Sequence, residues 1–193
     1  ASLGQGETFS RALLRVLKPH GGVLLAATSA PDSAWAKAGE LTKPALGGGA
    51  WTKLVRGALP GARDWTHQYA DAGNSGSSDD ERVRGRPEVL WYGEPGADKM
   101  QDRHRRSEAP LQLGGRMFVE GTRQLTKTPL LLSFDAYNGL PYWEREFPGA
   151  ERLDITQDCG NLAVSPHGLF VATDKECHQL DLFTGATRRA FPV

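Results

Sequence analysis

The order of apolar and polar positions changes character near residue 64. Before it, Phe9, Leu13, Leu14, Val16 and Leu17 fall on one face of a 3.6-residue period, which predicts a helix over residues 7–17. Lys18-Pro19-His20-Gly21-Gly22 ends that helix, because proline cannot continue it and glycine accepts a left-handed exit. Val23 to Ala27 is a short, continuously apolar run, the pattern of a buried parallel strand. Residues 28–63 are rich in Ala, Gly, Pro and Ser and read as a linker, with one short amphipathic strand at Trp51 to Arg56. After residue 64, short β-type runs alternate with Gly, Pro and Asn, as in an all-β sandwich, barrel or propeller. The predicted strands are Val89 to Tyr92, Leu111 to Leu113, Arg116 to Val119, Leu130 to Phe134 and Tyr142 to Glu146. They continue with Leu162 to Val164, Leu169 to Ala172, His178 to Leu180 and Thr187 to Ala190. Gly114-Gly115, Asn138-Gly139, His167-Gly168 and Thr184-Gly185 each supply a turn residue that tolerates positive φ.

Part of this pattern repeats. Ser133-Phe134-Asp135-Ala136-Tyr137-Asn138-Gly139 aligns with Gln179-Leu180-Asp181-Leu182-Phe183-Thr184-Gly185 at an offset of 46. Upstream, Leu111 to Val119 resembles Leu162 to Val171. A period in the forties made of four short strands is the signal of a β-propeller blade. Phe118 precedes Asp135 by 17 positions, whereas Phe170 precedes Asp181 by 11, so Thr122 to Pro129 is expected to be a hairpin extension. Each aspartate is expected to end a strand and accept hydrogen bonds from the N–H groups of the turn that follows. Trp143, eight residues after Asp135, then lies on the outgoing strand, where it can pack on a neighbouring blade. Arg189 occupies the matching position of the second copy.

The run Asp135, Gly139, Trp143 resembles the A-x-D-x-x-T-G-x-x-x-W tryptophan-docking repeat of pyrroloquinoline-quinone-type (PQQ) propellers, with Ser133 for Ala and Asn138 for Thr. In the second copy Asp181, Thr184 and Gly185 match and the tryptophan is missing. Asp64-Trp65-Thr66-His67-Gln68-Tyr69-Ala70-Asp71, followed by Asn74, is similar to the opening of such propellers. With Leu90 to Gly96 and Asp102-Arg103-His104, it resembles a bacterial PQQ-like family of planctomycete-type multidomain proteins, over roughly residues 51–193. Leu13 to Leu25 is similar to the late helix–"RVLKPGG"–strand segment of class I S-adenosylmethionine methyltransferases, and Trp51-Thr52-Lys53-Leu54-Val55 to a connector between such a domain and a propeller. The glycine-rich cofactor loop and acidic ribose-binding residue of that fold are not in this chain.

Composition narrows the function classes. The 193 residues carry 23 Lys plus Arg against 23 Asp plus Glu, and a net charge of zero argues against a general electrostatic nucleic-acid binder. No apolar run reaches the length of a membrane helix. Cys159 and Cys177 are compatible with one bridge or with two thiols. Together with His167 and His178 their spacing matches no usual zinc pattern, so no metal is expected. Nor are the two cysteines adjacent, as the resemblance would require of a quinoprotein dehydrogenase, and no compact calcium ligand set is visible. PQQ with calcium is therefore not expected, and S-adenosylmethionine only with an upstream domain. Asp102-Arg103-His104-Arg105-Arg106 is the most charged segment, either a ligand loop holding an anionic group or a solvated loop. His67 is expected to be satisfied locally, Asp79-Asp80-Glu81 to be an exposed turn, and Ser107 and Ser165 to lack triad context.

The resulting expectation is a mainly β chain: an incomplete β-propeller of two to three four-stranded blades over residues 64–193. A linker over 31–63 joins it to a short α/β, Rossmann-like methyltransferase remnant over 1–30. From Asp64 the chain holds about 2.8 repeats of the 46-residue period, fewer than a closed propeller needs, so it reads as a fragment. The expected role is a binding or scaffold module for a protein, peptide or glycan, with further blades and an upstream domain as intramolecular partners. A quinoprotein oxidoreductase and the tail of a methyltransferase are the alternatives. The family resemblance implies a periplasmic or envelope-associated setting.

Overall fold

The alternating pattern after residue 110 builds two antiparallel four-stranded sheets in the computed structural model, which describes residues 3–93, 96–99, 109–150 and 160–193. The chain divides into two compact units, Ala1–Ala62 and Arg63–Val193.

In the first unit, α1 (Leu3–Val16) is followed by β1 (Val23–Ala26), α2 (Ser33–Ala38), β2 (Gly39–Thr42) and β3 (Thr52–Arg56). Ser10 is buried and Leu13, Leu14 and Leu17 are half-buried, whereas Phe9 and Val16, expected on the apolar face, are exposed. The covered stripe is thus narrower than the periodicity suggests, centred on positions 10, 14 and 17. Arg56 donates from Nη1 to the carbonyls of Leu14 and Leu17, placing a cation at the end of α1 where carbonyls lack helical partners. Asp32 caps α2, its Oδ1 accepting from Ala34 N at 2.8 Å, and Trp35 and Leu54 are buried.

Two expectations change here. Val23 to Ala26 is not a buried parallel strand: β1 pairs antiparallel with β3 and alternates exposed with half-buried positions, because it is an edge strand with one open face. Residues 31–63 are not a linker. They supply α2, β2 and the central strand of the sheet, ordered β1-β3-β2. Both neighbours of β3 are antiparallel to it, so β1 and β2 run parallel to each other with α2 in their connection.

In the second unit the first sheet is β4 (Leu111–Leu113), β5 (Arg116–Arg123), β6 (Thr128–Asp135) and β7 (Pro141–Glu146), in that order. The second is β8 (Leu162–Ser165), β9 (Gly168–Ala172), β10 (Glu176–Leu180) and β11 (Thr187–Pro192). Leu111, Phe118 and Leu131 of the first sheet share a buried cluster with Leu162, Val164, Leu169, Val171 and Leu180 of the second. The opposite face of the first sheet buries Leu130, Leu132 and Phe134, so this sheet is covered on both sides. The extra residues of the first copy lengthen the β5–β6 hairpin, whose end is clasped by Thr122 N to Lys99 O and Gln124 N to Asp98 O.

Val89 to Tyr92 is not a strand. It is extended chain with Val89, Leu90 and Tyr92 exposed, and Trp91 alone turned inward. Two four-stranded sheets are described, and residues 63–99 contribute isolated bridges instead of a third. Trp65 exchanges backbone hydrogen bonds with Gln112 of β4, and Thr66 O accepts from Val164 N of β8, so one short segment joins the first strand of each sheet.

Candidate functional site

Each aspartate of the repeat folds its turn in the same way. Asp135 O accepts from Gly139 N at 2.9 Å, and Asp135 N donates to Leu140 O at 2.9 Å. Asp181 O accepts from Gly185 N at 2.9 Å, and Asp181 N donates to Ala186 O at 2.8 Å. Each Oδ1 takes the N–H two residues on, Tyr137 at 2.9 Å and Phe183 at 2.8 Å. Gly139 and Gly185 stand at φ 72° and 71°, a left-handed backbone that L side chains resist.

The second oxygens differ. Asp135 is buried, and its Oδ2 accepts from the Tyr142 hydroxyl at 2.7 Å. Asp181 is half-buried, and Arg188 pairs with its Oδ2, while Thr184 adds its backbone N–H at 2.8 Å and its hydroxyl at 3.1 Å to Oδ1. The N–H groups of Thr184 and Phe183, with Arg188, hold the Asp181 carboxyl down at about 2.

A tryptophan covers each turn. Trp143 donates from Nε1 to Leu182 O at 3.0 Å, and its ring lies so close to Gly185 that a Cβ there would meet Trp143 Cε3 at 2.8 Å. Arg145 beside it donates to Gly185 O at 2.7 Å and to Thr187 Oγ1 at 2.9 Å. One turn earlier, Trp91 donates to Ala136 O at 3.0 Å, and a Cβ on Gly139 would meet Trp91 Cε3 at 2.4 Å. The acceptors Ala136 and Leu182 are again 46 apart. Trp91 is therefore a docking residue that the strand reading of Val89 to Tyr92 missed. Spacing carried the signal: Trp91 lies 44 positions before Asp135 and Trp143 lies 38 before Asp181, a difference equal to the six-residue hairpin extension.

Arg116 stands between the two turns. Its guanidinium carbon lies 3.8 Å from the Tyr142 ring centre and 5.0 Å from that of Phe183, a cation–π arrangement. Partial burial pulls its pKa below the usual arginine range, opposed by Tyr142, Asp135 and Asp181. Asp135, Gly139, Trp143, Asp181, Thr184 and Gly185 thus gather at the turn ends of the two sheets with Arg116. The proposed ligand loop, Asp102, Arg103, His104 and Arg105, lies outside the described residues, as does Cys159. Cys177 is half-exposed, and adjacent positions on β10 send Cys177 and His178 to opposite faces of the sheet. His178 Nε2 lies 3.2 Å from Glu176, and His67 Nδ1 meets Thr66 Oγ1 at 2.9 Å. Among the described residues no group of three or more His, Cys, Asp or Glu is placed to hold a metal, and no helix is long and apolar enough to cross a membrane.

No protein-family description matches the chain, and no curated protein does. Among solved structures, the crystal structure of BamB from Moraxella catarrhalis is similar over 54% of this chain, at 15% identity and a TM-score of 0.35. The match spans 27% of that protein's chain.

Proposed function

We propose that Arg63–Val193 is a propeller-type repeat module of the PQQ-like kind that binds or scaffolds other proteins and carries out no chemistry of its own. The supporting observation is the recurrence of one contact, an indole laid on a glycine of an Asp-x-x-x-Gly turn, at Gly139 and again at Gly185. In this role Asp135, Gly139, Trp143, Asp181, Thr184 and Gly185 are structural: they fix the turns and stack the sheets. The working surface is the turn rim they hold in place, where Phe183 and Tyr142 are exposed. The family resemblance supports an exported or envelope-associated setting. The test is a peptide array probed with the folded chain, alongside titration with PQQ and calcium followed by absorbance. Saturable peptide binding that is lost on Phe183→Ala supports the module. Uptake of PQQ with calcium and turnover of an alcohol overturns it.

A second reading concerns the first unit alone. Two parallel strands joined through a helix, with an antiparallel strand between them, are an α/β construction, and this supports the methyltransferase-like reading of Leu13 to Leu25. The reading frame ahead of Ala1 tests it: a strand followed by a glycine-rich loop is expected, and its absence removes the reading.

A further inference from the structure

On the reading that the turn rim binds protein, Arg116 is its most demanding group. Two aromatic rings stand against its guanidinium, Tyr142 at 3.8 Å and Phe183 at 5.0 Å, and ring faces satisfy charge without using N–H donors. Among the described residues its hydrogen bond is a long one, Nη1 to Ser133 Oγ at 3.4 Å. The carboxylates that share its field are engaged elsewhere. Asp135 accepts from Tyr137 N and the Tyr142 hydroxyl, and Asp181 from Phe183 N, Thr184 and Arg188. A half-buried guanidinium held by two aromatic rings, with under-used donors, is suited to receive a planar anion in the bidentate geometry of arginine with carboxylate. Asp135 and Asp181 nearby favour a singly charged anion over a doubly charged phosphate. Phe183, 71% exposed, offers an apolar contact to whatever flanks that anion.

We infer that Arg116, held against Tyr142 and Phe183, anchors a peptide-docking site that takes a carboxylate of a partner protein flanked by an apolar residue.

The experiment titrates the full chain with acetyl-Leu-Asp-Leu-amide and follows the Arg116 Nε–H and Phe183 backbone signals by NMR. The controls are the Asn and phosphoserine counterparts of the peptide. Saturable shifts with the Asp peptide, and affinity lower by about tenfold or more with the Asn peptide, are expected. Phe183→Ala keeps the turn and is expected to weaken the Asp peptide while leaving the melting transition in place. Arg116→Lys retains a charge without the fork and is expected to reduce the difference between Asp and Asn peptides, and Arg116→Gln to abolish it. Equal response to Asp and Asn, or none at millimolar peptide, overturns the proposal, and tighter binding of the phosphoserine peptide overturns the carboxylate assignment. Array binding by peptides without carboxylates would leave the binding module standing while this site falls, so the two failures are separable.

Discussion

The turns of Asp135 and Asp181 share their backbone hydrogen bonds position for position, yet their carboxylates live in different surroundings. Asp135 is sealed inside, so its second oxygen must find a donor within the protein and takes the Tyr142 hydroxyl. Asp181 is only half-buried, and an exposed arginine suffices. The five-residue Asp-x-x-x-Gly segment dictates the shape of such a turn, while burial decides how much depends on the carboxylate. The tryptophans follow the same rule. Trp143 belongs to a paired strand and joins the shared core, whereas Trp91 reaches its turn from unpaired chain.

The comparison is most directly tested at the indoles. Trp143→Ala is expected to cost about 3 kcal/mol in chemical denaturation, from lost burial and a stranded Leu182 carbonyl. Trp91→Ala is expected to cost about 2 kcal/mol, because less of the core is opened. A larger loss at Trp91 would break the ranking of anchored over unanchored docking. Gly185→Ala and Gly139→Ala should each cost about 1–2 kcal/mol from the left-handed backbone alone, with the approach of the covering indole added. If either variant matches the parent in urea, the docked geometry is wrong there.

The carboxylates give a sharper contrast. Asp135→Asn is expected to cost about 2 kcal/mol, since a buried, charge-assisted pair loses its partner. Asp181→Asn should cost less and should instead change the pH profile. The folded Asp181 carboxyl sits at about 2, below its unfolded value near 4, so it stabilises the fold fully above about pH 5. That contribution fades as pH falls through 4 towards 2, and Asp181→Asn is expected to flatten this part of a melting-temperature profile. An unchanged acid limb would show that the Arg188 and turn N–H contacts do not persist in solution.

Much of the second unit was legible because local and long-range preferences agree there. Alternating apolar residues, a glycine at each left-handed position and the offset of 46 all point to the same strands and turns. What escaped was long-range. The apolar look of Val89 to Tyr92 suggested a strand, but only the indole of Trp91 is covered, by a turn 45 residues away. In the first unit, Val23 to Ala27 carries no periodicity to distinguish a buried strand from an edge strand, and partner choice was settled by Thr52 to Arg56, across the stretch read as linker. The candidate site divided the same way: the aspartates and glycines are visible as a motif, but nothing near Arg116 in sequence announces Tyr142 and Phe183.

The short segment at Trp65 and Thr66 also has a bearing on how the chain folds. Its two backbone partners, Gln112 and Val164, lie 47 and 98 positions downstream. Closing loops of that length is entropically slow, so this tie is expected to form late, after each sheet has assembled from its own hairpins. During synthesis the segment leaves the ribosome well before the strands it must join. Until that segment pairs with Gln112 and then with Val164, the edge strands β4 and β8 each keep unpaired backbone groups open to foreign strands.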